Sequence, residues 1–176
     1  MDFQIVSCQP DAHATAVRDI FNDAIANTTA LYDYHPRSLE TVMKWFGAKA
    51  RDGYPVLAAV KDGDLLGFAS YGSFRAWPAY QYTVEHSLYV QRDRRRTGVG
   101  RALLAAVVDH ATVRGFRTVI GGIDADNAAS IALHVAQGFV HAGTIRDAGY
   151  KFGRWLDLAF YQKLLPGPER PTEGQE

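Results

Sequence analysis

The chain of 176 residues has a single cysteine, Cys8. An internal disulfide and a cysteine-based metal site are therefore excluded, and one unpaired thiol suits a reducing compartment. Charge of one sign is also missing: 19 Lys and Arg stand against 19 Asp and Glu. A polyanion binder ordinarily carries a basic surplus over its domain, so nucleic acid is a poor candidate partner. No segment approaches the roughly 20 apolar residues that span a bilayer. The opening MDFQIVSCQPDAHAT, with an early acid and no apolar core, does not read as a signal peptide. These absences lead us to expect a soluble, cytoplasmic protein with no membrane partner. What is present is 47% hydrophobic residues, which suits one domain with a substantial core.

Periodicity divides the chain into alternating elements. FQIVSC (3–8) reads as a strand followed by a turn at Pro10-Asp11. In the next segment Ala14, Val17, Ile20, Phe21, Ala24 and Ile25 recur at helical spacing, and Ser38 precedes a second helix over 39–52. Two apolar runs flank Lys61-Asp62-Gly63-Asp64, a hairpin signal, and YTVEHSLYVQ (82–91) is a long strand rich in β-formers. Helix 101–115 carries Leu103, Leu104, Val107, Val108 and Ala111 on one face. Strand 116–124 contains Gly121-Gly122, which implies a bulge or a close approach of backbone. Asn127 caps a short helix ended by Gly138, and strands follow over 139–147 and 154–165. The order β-α-α-β-β-β-α-β-α-β-β describes one mixed α/β domain over 1–165. The Pro- and charge-rich tail 166–176 reads as disordered.

The chemical signal is RRRTGVGR, residues 94–101, between the long strand and an amphipathic helix. It is not a P-loop, because Gly100 is followed by Arg101-Ala102 where Lys-Ser or Lys-Thr is needed. A dinucleotide fingerprint fails too, since Leu103 occupies its third small position. What remains is the physics common to both. Backbone N–H groups opening a helix face phosphate oxygens, glycine lets them approach, and arginines offset the charge.

The spacing Arg95-x-x-Gly98-x-Gly100 resembles the acyl-CoA motif of the GCN5-related N-acetyltransferases (GNAT). The whole strand and helix order is similar to theirs. Gly53-Tyr54-Pro55-Val56, Tyr82 to Ser87, Asn127 to Ser130 and Lys151 to Asp157 resemble the branch acting on phosphinothricin, methionine sulfoximine and methionine sulfone. That resemblance covers roughly 3–165. It implies a mostly antiparallel twisted sheet of about seven strands with helices on both faces, acetyl-CoA as co-substrate with no metal, and a homodimer. It further implies transfer of acetyl to the α-amine of a small amino acid or analogue.

The resemblance also assigns residues. Leu88, Tyr89 and Val90 present main-chain groups to pantetheine, with the Val90 N–H as oxyanion donor. Arg95, Arg96, Thr97, Gly98, Val99, Gly100 and Arg101 hold the pyrophosphate, and Asn127 contacts the pantetheine. Glu85, a mid-strand carboxylate opposite the Val84 and Leu88 face, is the expected base. His134 stands where a tyrosine acid is common and is the second catalytic candidate. Arg75-Ala76-Trp77 and Glu85-His86-Ser87 are expected to hold the substrate, Arg75 meeting its carboxylate and Phe74, Trp77 and Tyr80 closing a small pocket. Three rival readings are a protein or peptide N-terminal acetyltransferase, a CoA-binding module without turnover, and a nucleic-acid module using Arg92 and Arg94 to Arg96.

Overall fold

A computed structural model describes residues 2–173. Its elements run β1 (Gln4–Ser7), α1 (Pro10–Asn27), α2 (Leu39–Arg51), β2 (Val56–Lys61), β3 (Asp64–Ser73), β4 (Thr83–Val90), α3 (Val99–Val113), β5 (Thr118–Asp124), α4 (Ala128–Ala136), β6 (Val140–Lys151) and β7 (Arg154–Leu164). The order matches the expected one, with three local differences. Pro10 starts α1 instead of turning the chain, since its fixed φ and missing N–H suit a first helical turn. The helix after the glycines begins two residues earlier, at Val99. β6 is longer than its apolar stretch suggests, because pairing with β7 carries it through a bulge to Lys151.

All seven strands form one sheet in the order β1-β2-β3-β4-β5-β7-β6. Every neighbouring pair is antiparallel except β4 and β5. Asp62 and Gly63, both at positive φ, make the β2–β3 turn. Helices cover both faces. On one, Phe21 of α1 meets Trp45, Phe68 and Tyr89 with ring centroids 5.3, 4.9 and 5.1 Å away. On the other, Leu103, Leu104 and Val107 of α3 are fully buried against Ala69, Val84 and Val119.

What positions the site is the parallel pair. β4 and β5 are in register only over Thr83–Glu85 and Thr118–Ile120, and then part. Past Glu85, one edge of β4 faces an opening instead of a strand. The Gln91 N–H donates to Leu66 O on the β3 side at 2.9 Å. Strand alternation therefore turns the Leu88 and Val90 N–H groups away from β3, into that opening.

At the end of the chain, residues 166–173 form no helix or strand, and the Thr172 N–H donates to the Tyr82 hydroxyl at 3.0 Å. The expected disordered tail also includes residues 174–176, which lie outside the described residues.

Candidate active site

Two cavities occupy the opening and meet at its middle. One, of about 400 Å³, lies on the α1–α2 face and is lined by Lys49, Glu85, Ser87 and Asp124, with His86 and His134 behind. The other, of about 470 Å³, runs between β4, the arginine–glycine loop and α4. Leu88, Tyr89, Asn127 and Ser130 line both. The two cavities therefore adjoin at these residues. The Tyr89 ring packs on Phe21 and Phe68.

The loop is built as an anion cradle. Gly98 caps α3 at φ 90, a left-handed conformation that costs glycine nothing and other residues strain. The Ala102 N–H makes the first bond back, to Gly98 O at 3.0 Å. The N–H groups of Val99, Gly100 and Arg101 consequently have no acceptor within the helix, and its dipole adds positive potential there. Arg95, Arg96, Gly98, Gly100 and Arg101 line the second cavity. Thr97 and Val99 do not: the Thr97 hydroxyl donates to Arg94 O at 2.6 Å, and the Val99 side chain is core. Arg95 lies 3.6 Å from Asp23 of α1, which holds it at the rim. Asn127 caps α4 by accepting from the Ser130 N–H at 3.1 Å.

Two carboxylates line the first cavity, in opposite surroundings. Asp124 is almost fully buried and bonded by Arg154 at 2.9 Å. Burial pushes its pKa up, but hydrogen bonds from Thr29 and the Asp126 N–H, together with Arg154, bring it below the usual carboxylate value. Glu85 carries no ion pair or hydrogen bond among the described residues. Burial raises its pKa, and the nearby Arg75 guanidinium draws it only partly back. Such a divergence separates a structural carboxylate from one better suited to accept a proton.

His86 and His134 form a buried pair, stacked with ring centroids 5.0 Å apart and their Nε2 atoms at 2.9 Å. The His134 Nδ1–H donates to Ser130 O at 2.7 Å, a carbonyl that can only accept. In the neutral pair His134 Nε2 is therefore the acceptor and His86 Nε2 the donor, which leaves His86 Nδ1 buried without a partner. Burial holds both imidazoles below their ordinary pKa, more strongly for His86, whose neighbour His134 also disfavours its charge. A neutral His134 bonded in this way has no proton directed at a leaving group.

The pair explains Gly121. A Cβ there would stand 2.8 Å from His86 Nε2 and 3.1 Å from His134 Nε2, and a Cβ at Gly122 would meet Glu85 Oε1 at 3.0 Å. The glycines therefore mark close approach on both faces of β5 rather than a bulge. Gly121→Ala should cost roughly 1–3 kcal/mol, the usual penalty for overpacking. Urea unfolding checks it, and an unchanged midpoint would show that the histidines move aside freely.

The segment 75–77 does not line either cavity. Arg75 lies over the Phe74 ring, 5.0 Å from its centroid, and Trp77 is 73% exposed. Phe74, Trp77 and Tyr80 accordingly do not close the pocket. The residue that sequence reasoning missed is Lys49 of α2, the only lysine or arginine lining the first cavity. Lys49 stands four residues after Trp45 and seven after Val42, on the apolar face of α2, and a charge in that stripe is the signal that could have found it.

Residues 16–139 match the Acetyltransferase (GNAT) family. The chain belongs to that family. It is 46% identical over 147 residues to the L-methionine sulfoximine/L-methionine sulfone acetyltransferase of Pseudomonas paraeruginosa, covering 83% of this chain and 86% of that protein. A GNAT superfamily phosphinothricin acetyltransferase from Sinorhizobium meliloti, solved in complex with AcCoA, has a TM-score of 0.92 at 34% identity, over 99% of this chain and 95% of its own. The solved ribosomal-protein-alanine N-acetyltransferase of Brucella melitensis has a TM-score of 0.90 at 44% identity, over 92% and 99%. The site of this GNAT acetyltransferase thus offers one cavity beside free helix N–H groups and arginines and another lined by a carboxylate without a partner. No helix among the described residues is long and apolar enough to cross a membrane.

Proposed function

We propose that this acetyltransferase moves the acetyl group of acetyl-CoA directly to the α-amine of a small amino acid or analogue, methionine sulfoximine and methionine sulfone ahead of phosphinothricin. The observation that carries this is the junction of the two cavities at Leu88 and Tyr89, beside an unpaired Glu85. Glu85 takes a proton from the substrate ammonium, directly or through one water, and the freed amine attacks the thioester carbonyl. The Val90 N–H stabilises the oxyanion. When the carbon–sulfur bond breaks, the second nitrogen proton goes to the departing thiolate, giving amide and free CoA. That balance requires no acid from His134, whose role is to tie α4, and with it Asn127, to β4.

Two features of the wider setting complete the reading. Trp77, Phe152 and Trp155 are exposed aromatics, which a second copy of the chain would cover in a homodimer. We place the enzyme in the cytoplasm, where the buried Cys8, its pKa raised to about 12 by burial, stays an inert thiol.

The peptide reading keeps one support, the 44% identity to the ribosomal-protein-alanine N-acetyltransferase. A thiol-release screen with acetyl-CoA over free amino acids, their sulfone, sulfoximine and phosphinate analogues, alanyl and seryl peptides, and polyamines decides between them. Turnover of the analogues with little on peptides is expected, from a protein sedimenting at twice 19.4 kDa. Turnover of peptides alone would overturn the small-substrate reading, and a monomer's mass would overturn the dimer.

A further inference from the structure

Lys49 is a cation brought into a binding cavity with no protein anion to meet it. Its Nζ donates to Tyr71 O at 2.7 Å, and no carboxylate among the described residues pairs with it. The one acidic neighbour acting on it, Asp52, is itself bonded to Arg51 at 3.3 Å. An ammonium has three donors, so two remain. The stem is held between rings, with Nζ 5.9 Å from the Trp45 centroid and 5.5 Å from that of Tyr54.

The position of Nζ is set by Gly72. A Cβ on that residue would lie 3.1 Å from Nζ, so the absence of a side chain lets the ammonium come down to the sheet. Gly72 is also the residue directly across from Glu85 in the β3–β4 register, on the same face of the sheet. Cross-strand partners on one face have Cβ positions ~5 Å apart. The cavity therefore presents an ammonium and an unpaired carboxylate from adjacent strand positions. An α-amino acid carries the complementary pair of charges on one carbon. Arg75, by contrast, lies over Phe74 and is not among the residues lining the cavity, although its charge acts on Glu85.

We propose that Lys49 binds the α-carboxylate of the substrate, so that the enzyme selects free amino acids over amides, esters and peptide N-termini. The assignment rests on the small-amino-acid reading above and names the residue that enforces it. Lys49 orients as well as attracts: with the carboxylate on Lys49, the α-amine is turned toward Glu85 and the thioester.

The test compares methionine sulfone with its α-carboxamide, whose amine is the same but whose carboxyl charge is gone. The wild type is expected to favour the free acid strongly in kcat/KM. In Lys49→Gln, which retains a donor for Tyr71 O, that preference should fall about 10–100-fold, the worth of one charge-assisted hydrogen bond in a sheltered site. The loss should fall mainly on the acid, with the acetyl-CoA KM near wild type. An unchanged preference in Lys49→Gln overturns the assignment. So does a preference abolished by Arg75→Ala, which is informative even if the Lys49 variant folds poorly. Failure of the underlying reading looks different: the wild type would turn over neither compound.

Discussion

Replacing Glu85 with glutamine should lower kcat/KM at neutral pH by ~10²–10⁴-fold, the usual worth of a general base. The acetyl-CoA KM should stay near wild type, because Glu85 lines the amine cavity and not the donor cavity. The pH dependence distinguishes a base from a structural carboxylate. Burial raises the Glu85 pKa, so wild-type activity should be present above that raised value and fall as pH drops through it. The variant should lose this acidic limb, and its defect should shrink at alkaline pH, where the substrate amine deprotonates unaided. A small loss that is flat with pH would return Glu85 to a structural role. Asp124 is the weaker base, since hydrogen bonds from Thr29 and the Asp126 N–H, together with Arg154, hold its pKa below the usual carboxylate value.

Gly100→Val should produce the second large effect, a rise in acetyl-CoA KM of about 10–100-fold as one or two charge-assisted bonds to the pyrophosphate are lost. Gly100 is the better probe of the two loop glycines. Its Cβ would make only ordinary contacts, 3.5 Å to Leu133 Cδ2 and 3.7 Å to Val90 Cγ2, so the protein itself has room for a Cβ there. Those contacts place the added methyls in the wall of the donor cavity, where they push the phosphates off the free N–H groups. Gly98, at φ 90, would add backbone strain to any such measurement. An unchanged acetyl-CoA KM in a folded Gly100→Val protein would remove the cradle assignment.

Much of this was legible where local pattern and burial coincide. The six apolar residues picked out along 11–27 by period are the six buried residues of α1. Those of the helix after the glycines are likewise buried in α3. Strand alternation placed Glu85 opposite Val84, and in the structure Val84 is core beneath α3 while Glu85 opens into a cavity. The left-handed conformation of Gly98 is a separate reason for glycine there, since the loop was read for close approach and not for a positive φ. Pairings between distant residues were not legible. His86 and His134 meet across 48 positions, and only the parting of β4 from β5 brings α4 close enough to join them. Lys49 stands on the apolar stripe of α2, but its place in a cavity depends on Gly72, a residue 23 positions away that lets it reach the sheet. Arg75 shows the reverse: its charge suits a carboxylate, but it is not among the residues lining the cavity.

The central claim is that acetyl passes directly between two cavities joined at Leu88 and Tyr89, and a crystal structure with CoA and methionine sulfone bound together tests it most directly. The account predicts the pyrophosphate on the N–H groups of residues 99–101, the thiol beside the Leu88–Tyr89 main chain, and the substrate amine between that sulfur and Glu85. A substrate bound elsewhere, with its amine beyond reach of the sulfur or turned away from Glu85, would contradict it.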